Sequence, residues 1–502
     1  MPCVATFSRR PVIGLAILSM LTGCMVGPDF HSPVQSDAGR FTEAALPGHT
    51  VSAVVAGGEA QRFGPERDIP GDWWALFHSD QITALVTRAL KANPDVAAAQ
   101  ATLRQARETT RAELGALFPS LSATGQLERQ RESLAAIGFG NGSATFTTYA
   151  ATLNVAYTLD AFGGIRRQVE QLGAQADYQR FELEATDLTL AANVINAAIN
   201  EAALRAQIDT THDIIKADTD ALNLTKSRFQ LGGVSQVDVL QQQSLLDTQI
   251  ATLPGLEKQR QQARNQLAVY LGGHPDQYSM PTLDLNRLTL PADLPVSLPS
   301  KLVEQRPDIR AYEALLHSAT AAVGVATANE LPNISLSASL GREGSNIPNL
   351  FTPAGLVWTI ASSITAPIFE GGTLTARKRA AQAALEVAAA QYSSTVNTAF
   401  QNVANALVAI ERDAETLRAA LAARKTASDS LSVARSQYTA GAGTYLNVLT
   451  AEQADYSSRL NLITARAARF SDTVALFQAL GGGWWNRTDV DPKLAKCCGV
   501  LP

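Results

Sequence analysis

The sequence predicts an α+β membrane protein built as a tandem duplication. Three observations carry that prediction. The chain matches itself over a long ungapped stretch, alternating segments occur in two pairs that each follow a proline, and two helical runs continue without proline from Ile165 to Gln230 and from Leu374 to Ala440.

The self-match comes first, because an internal repeat changes every later assignment. Ser227-Arg-Phe229-Gln-Leu-Gly232-Gly233-Val234-Ser235-Gln-Val-Asp238-Val239-Leu240 recurs as Ser436-Gln-Tyr438-Thr-Ala-Gly441-Ala442-Gly443-Thr444-Tyr-Leu446-Asn447-Val448-Leu449. The offset stays at 209 from there to Gly273 and Gly482, and Arg260/Arg469, Leu267/Leu476 and Leu271/Leu480 coincide. A shared apolar period would match residue classes only. It would not put the turn glycines and the terminal Gly-Gly in one register. Glycine is the least strained residue where a tight helix-to-helix turn needs φ > 0, so each glycine break reads as the tip of a long antiparallel helical hairpin.

The N-terminus reads as a targeting segment. Arg9 and Arg10 precede a short apolar run from Pro11 to Leu21, about the length of a signal-peptide core and too short to span a bilayer. Leu21-Thr22-Gly23-Cys24 resembles a bacterial lipobox, which implies cleavage before Cys24, residues 1–23 as signal peptide and diacylation of the Cys24 sulfur. Met25, rather than aspartate, then favours sorting to the outer membrane. Residues 24–70 lack periodicity and read as an extended tether. Asp72-Trp73-Trp74-Ala-Leu76-Phe77 is the first aromatic cluster and anchors a helix through Ile82, Leu85, Val86 and Leu90.

Repeat 1 (71–285) opens its main part at Asn93-Pro94-Asp95 and repeat 2 (286–483) at Arg306-Pro307-Asp308, proline in the first turn being a helix start. Both helices stop at a proline, Pro119 and Pro332, and the period then changes to two. Leu121, Ala123, Gly125 and Leu127 alternate with polar residues, and Leu153, Val155, Tyr157 and Leu159 return. In repeat 2 Ile334, Leu336, Ala338 and Leu340 go out and Leu356, Trp358 and Ile360 come back. Each β-pair (about 120–160 and 333–367) thus has strands of about 8–11 residues, the length a tilted strand needs to cross a bilayer. The hairpins follow at about 165–272 and 373–480. At 1.5 Å per residue each proline-free run is about 100 Å long, far beyond ordinary globular helices. A kink is expected at Pro254-Gly255, and 484–502 reads as a loose tail.

Composition excludes several classes. A net charge of −5 over 502 residues gives no reason for a nucleic-acid partner. Cys3 leaves with the signal, Cys24 carries lipid, and adjacent Cys497 and Cys498 bridge only with strain, so there is no disulfide framework. The six histidines are scattered without metal-ligand spacing, and P-loop and GxSxG motifs are absent. No enzyme, cofactor or metal site is indicated.

Four membrane-length strands cannot close on themselves. An open edge in lipid leaves backbone groups unpaired at several kcal/mol each, so chains must associate, giving eight strands from two or twelve from three. The product is a duct: a β-barrel in the membrane continued by a helical barrel.

In this architecture the chain resembles the TolC/OprM family of outer-membrane factors, most of all its lipoprotein, NodT-type branch. The matching residues are Leu21-Thr-Gly-Cys24-Met-Val-Gly-Pro28-Asp, Trp73-Trp74, Arg306-Pro-Asp-Ile309, Leu331-Pro-Asn-Ile334-Ser-Leu, Ala366-Pro-Ile-Phe369-Glu-Gly-Gly372 and Leu480-Gly-Gly-Gly483-Trp484. The resemblance implies a homotrimer with a twelve-stranded barrel in the outer membrane and an α-helical barrel in the periplasm. It further implies an exit duct serving a tripartite exporter, with a separate periplasmic adaptor and an inner-membrane pump of the RND type. The competing readings are a periplasmic adaptor lipoprotein, which would carry a single hairpin, and a type I secretion outer-membrane channel.

The tips are the expected functional ends. Gly232, Gly233, Val234 and Ser235, with Gly441, Ala442, Gly443 and Thr444, are placed to meet the adaptor. By the resemblance, polar links near the tips close the duct, and one falls on Tyr438 and Asp238. The alternative is that Tyr438 packs its ring between helices and Asp238 caps the helix after the turn. Family members often carry acidic residues just past the second tip. Asn447 and Thr450 stand there instead, so no anionic ring carries over, and Leu446 could form an apolar one.

Overall fold

The computed structural model describes residues 25–33, 40–64, 68–133, 135, 141–276, 283–296 and 299–487. The signal peptide, Cys24 and the Cys497–Cys498 pair lie outside the described residues.

The elements in order are β1 (Arg62–Gly64), α1 (Asp80–Ala92), α2 (Pro94–Leu114), β2 (Ser120–Ser133), β3 (Ser143–Leu159), α3 (Gly164–Gln230), α4 (Gln236–Tyr270), β4 (Asp293–Pro295), α5 (Pro299–Gln305), α6 (Pro307–Ala328), β5 (Asn333–Gly344), β6 (Leu356–Thr365), α7 (Thr373–Thr439) and α8 (Tyr445–Ala479). The duplication is plain in the lengths. α3 and α7 each have 67 residues, and α4 and α8 each have 35. Each repeat is a helix, a strand pair and a long hairpin.

Local chemistry explains the boundaries. Asn93 accepts a hydrogen bond from the Asp95 N–H at 2.8 Å and Pro94 fills the first turn of α2. At the first tip Gly232 sits at φ 78° and the Gly233 N–H donates to the Arg228 carbonyl at 2.8 Å. The second tip repeats this with Gly441 at φ 71° and Ala442 N–H donating to Gln437. Both are left-handed helix stops that return orphan carbonyls to a donor.

α4 runs through Pro254, the position of the expected kink, as one continuous helix. Pro254 lies on the exposed face, so the carbonyl it leaves unpaired can take its bond from water. β2 and β3, with 14 and 17 residues, exceed the expected 8–11. The outer part of β2, Glu128–Ser133, is polar and, paired with Ser143–Thr148, carries the hairpin beyond the apolar band.

The strands form one antiparallel sheet of order β2-β3-β5-β6, with β1 and β4 in a separate small parallel sheet. The main core lies where the hairpin roots cross α1 and α6. Trp73 stacks on Phe477 at 5.3 Å, and Phe77, Ile82, Val86, Ile195, Ile199, Leu407, Phe470 and Val474 are buried there. Alanines 191, 198 and 202 are buried along α3, and small side chains let the helices approach closely.

Two expectations need correction. The segment after Cys24 is extended but not loose, because it is strapped to the body. Arg469, fully buried on α8, donates to the carbonyls of Gly57 and Glu59 at 3.0 and 3.1 Å and to Gln61 Oε1 at 3.0 Å. Its repeat partner Arg260 instead pairs with Glu201 at 2.9 Å. Position 410, the counterpart of Glu201, is a buried isoleucine, so Arg469 is free for the strap. The tail is likewise packed as far as Arg487. Asp68 accepts from Trp485 Nε1 at 3.0 Å and Asn486 Nδ2 at 2.8 Å, which helps hold its carboxyl below the ordinary range against the opposing effect of burial.

Candidate functional site

The sheet is two-faced by register. Leu121, Val155, Ala338 and Ile360 make one row, and Ala123, Leu153, Leu340 and Trp358 make the next on the same side. The opposite side carries Ser122, Asn154, Ser339 and Thr359 in one row. Asn154 Nδ2 donates to Thr124 Oγ1 at 3.2 Å, and Ser335 and Ser363 share a hydrogen bond of 2.7 Å. An apolar face can meet lipid, and a hydroxyl face can line water. Exposed Leu121, Trp358, Ile360 and Ile364 would be a large liability in a water-soluble sheet. β2 and β6 end the sheet with a free edge each, so closure in lipid requires other chains. Among the described residues no helix is long and apolar enough to cross a membrane.

Below the sheet a polar collar fixes residues 25–30. Val26 N–H donates to the Phe162 carbonyl at 3.2 Å, and Met25 packs against Gly163 at φ 75°. Gly27 lies so close to Gly324 that a Cβ on it would meet the Gly324 Cα at 2.4 Å. Buried Arg167 bonds Asp29 at 2.6 Å and Glu170 at 2.7 Å, and Glu170 also bonds His317 Nε2 at 2.9 Å. The His317 and Arg167 contacts hold the Glu170 carboxyl below its usual range. Phe30 stacks on the His317 ring at 4.4 Å.

At the other end of the helices are the tips. Gly232, Gly233, Ser235, Gly441, Ala442 and Thr444 are exposed, and Val234 and Gly443 half-buried. Leu231, Val237, Leu240 and Leu446 add exposed apolar surface beside them. Asn447 and Thr450 also face outward, and Thr450 Oγ1 returns its hydrogen to the Leu446 carbonyl at 2.9 Å.

Asp238 and Tyr438 have partners other than each other. Asp238 closes a capping box: its Oδ2 accepts from the Ser235 N–H at 2.9 Å and the Ser235 hydroxyl at 2.8 Å, while its own N–H donates to Ser235 Oγ. Tyr438 lays its ring against Tyr445 at 5.2 Å, with the Arg228 guanidinium 5.8 Å from the ring centre. Both residues thus follow the packing-and-capping alternative within the protomer, and a Tyr438–Asp238 hydrogen bond is not among those of the described residues.

The polar link between hairpins sits one turn deeper, on a residue that sequence reasoning missed. Tyr445 Oη donates to Gln242 Oε1 at 2.5 Å and lies 3.2 Å from Thr225 Oγ1. This ties α8 to both helices of the first hairpin, and all three residues are buried. Gln242 Nε2 in turn donates to the Asp218 carbonyl at 3.3 Å. The Asp218 carboxyl is buried beside Glu452, itself paired with Arg435 at 2.8 Å. Burial first, and then the Glu452 charge, push Asp218 up to about 6. Tyr445 could have been found from its spacing to Val448 and Leu449, which continue its buried face.

Among the described residues no three His, Cys, Asp or Glu side chains gather to hold a metal ion. The arrangement offers a hydroxyl-lined sheet face, long paired helices and a polar clamp near the hairpin tips.

Comparison with known proteins agrees. The sequence profile of the family described as "Outer membrane efflux protein" matches residues 85–273 and 298–482, one stretch on each repeat. The chain is 31% identical over 485 residues to the probable efflux pump outer membrane protein TtgC of Pseudomonas putida, covering 95% of this chain and 97% of that one. It is 28% identical over 480 residues to outer membrane protein OprJ of Pseudomonas aeruginosa, at 95% and 97% coverage. The solved outer-membrane channel OprN superposes with a TM-score of 0.83 at 26% identity, over 92% of this chain and all of that one. The open state of the Neisseria gonorrhoeae MtrE channel gives 0.77 at 26%, over 93% and 100%. The chain belongs to the outer membrane efflux protein family.

Proposed function

We propose that the protein is the outer-membrane exit duct of a tripartite efflux system. Three chains pool their strands into a twelve-stranded barrel, and their hairpins continue it as a periplasmic tube. The observation that carries this reading is the two-faced sheet with two free edges, joined to paired helices of 67 and 35 residues. The protein conducts passively and is not an enzyme. Energy enters at an inner-membrane pump of the RND type, coupled through a periplasmic adaptor. Relatives carry names that refer to toluene, antibiotics and pyoverdine, so the cargo here is a small molecule of unassigned class.

Three finer assignments belong to this proposal. Cys24 carries the acyl anchor. What supports it is the docking of Met25 and Val26 on Phe162 and Gly163, just past the end of β3, where lipid begins. The adaptor meets the tips at Gly232–Ser235 and Gly441–Thr444, supported by their exposure and the apolar side chains around them. The gate is held by the Tyr445–Gln242–Thr225 clamp, with Leu446 exposed beside it. The test of the whole is extraction from outer membranes with detergent followed by gel mobility with and without boiling. A barrel shifts on heating. A protein released without detergent and indifferent to heat would be an adaptor instead.

A further inference from the structure

The register of the sheet sorts its charges completely. Glu128, Glu132 and Glu343 stand on the hydroxyl side, and Arg129, Arg131 and Arg342 on the lipid side. Arg342 stays within the apolar rows, paired with Leu356, and curls its guanidinium up to the loop carbonyls of Leu350 and Thr352 at 3.1 and 2.8 Å. That is how a cation survives against lipid.

Arg129 and Arg131 are placed differently. Along β2 the outward residues run Leu121, Ala123, Gly125, Leu127 and then Arg129 and Arg131. Leu127 pairs with Tyr149, an amphipathic ring suited to the membrane interface. Arg129 is therefore the first outward residue beyond the apolar band, about 7 Å further along the strand, and Arg131 the second. The helices extend from the opposite end of the sheet, so this rim faces the cell exterior. Both arginines are exposed. Arg131 Nε donates to Ser143 Oγ at 2.8 Å, which holds the side chain along the rim and leaves its other N–H groups available. The neighbouring carboxylates cannot neutralise the pair, because Glu128 and Glu132 alternate to the inner face.

We propose that Arg129 and Arg131 form a docking site for the phosphates of an anionic glycolipid of the outer leaflet. Two guanidiniums two residues apart on one strand face present forked donors side by side, the geometry that grips phosphate. Their height places them at headgroups rather than acyl chains. Three such sites, one per protomer, would ring the barrel. The proposal rests on the outer-membrane reading and adds the lipid that the barrel recognises there.

The test uses the full-length trimer in detergent, with native mass spectrometry counting bound lipid A in its diphosphorylated form and after removal of both phosphates. The wild type should retain the phosphorylated lipid in preference. Arg129→Gln with Arg131→Gln should weaken that binding roughly tenfold or more. Arg129→Lys with Arg131→Lys keeps the charge without the fork and should fall between the wild type and the glutamine pair, and Arg287→Gln, an exposed arginine outside the barrel, should change nothing. Equal retention of both lipids by the wild type, or undiminished binding in the glutamine pair, overturns the proposal. A wild type that forms neither a trimer nor a channel in bilayers would overturn the duct reading and this site with it.

Discussion

Removing one oxygen from Tyr445 tests the gate most sharply. Tyr445→Phe keeps the ring, and with it the contact to Tyr438 and the surrounding Leu431, Val448 and Leu449. It deletes a donor that reaches Gln242 Oε1 at 2.5 Å and a hydroxyl 3.2 Å from Thr225. Gln242 is wholly buried and no water can readily replace the lost donor. Leaving a buried acceptor unsatisfied costs about 1–3 kcal/mol. If the clamp exists only in the closed state, that cost shifts a two-state gate roughly five- to hundredfold towards open. Single-channel recordings in planar bilayers should show a higher open fraction, and cells should become sensitive to a large antibiotic otherwise excluded. Adding Gln242→Leu should not deepen the effect and should relieve part of it, since the stranded acceptor then goes with its donor. Tyr438→Phe removes a hydroxyl with no hydrogen bond among the described residues and should change the open fraction far less. A wild-type open fraction in Tyr445→Phe, or an equal effect from Tyr438→Phe, would refute the assignment.

Other perturbations follow from the same contacts. Asp218 titrates near 6 in the fold against 3.8 in a free chain. A raised carboxyl favours packing while it is neutral, so its contribution is full below about pH 4 and is lost as pH rises through 6, about 3 kcal/mol at the limit. If opening exposes this carboxyl, the open fraction should rise from pH 4.5 to pH 7.5, and Asp218→Asn should flatten that rise; an undiminished pH response in the variant would sink the link. Arg469→Met removes the bonds to Gly57, Glu59 and Gln61 and should cost at least about 3 kcal/mol. Limited proteolysis should then cut the strap at 40–64 before the hairpins, whereas an unchanged digest would show the strap is held otherwise. Glu128, Glu132 and Glu343 line the mouth with no Lys or Arg among the inward positions of the four strands. Reversal potentials across a salt gradient should show cation preference, reduced by Glu128→Gln with Glu343→Gln, and an anion preference in the wild type would contradict the assigned faces.

Much of this was legible in the sequence, and the reasons are physical. The turn glycines keep one register across both repeats because only φ > 0 lets a helix stop and reverse so tightly, and the matching helix lengths follow from that. The strand faces were legible because period two admits no compromise between lipid and water. What escaped notice depends on partners far away in sequence. Nothing in the aperiodic run from 40 to 64 signals that its carbonyls are claimed by Arg469, an arginine redirected by a change from Glu201 to Ile410 between the repeats. The family resemblance points the polar link to Tyr438 and Asp238. Yet Ser235 followed by Asp238 is a helix start in its own right, and the capping box takes up that carboxylate. The extension of β2 and β3 was hidden because Glu128–Ser133 is polar on both faces and leaves no apolar alternation to follow.

The central claim, that three chains close one barrel through their free edges, is tested most directly by cross-linking β2 to β6. Within one chain these strands are three spacings apart, about 14 Å, too far for a disulfide, which needs Cα atoms within about 7 Å. Any β2–β6 disulfide therefore joins two chains. With Cys497 and Cys498 changed to serine, a cysteine at Thr124 would be combined in turn with one at Thr359, Ala361 or Ser363, all on the inner face. After oxidation in outer membranes, non-reducing gels should show dimers and trimers for at least one pair, and no larger species. Monomers alone for every pair, or a ladder continuing past three, would contradict the account.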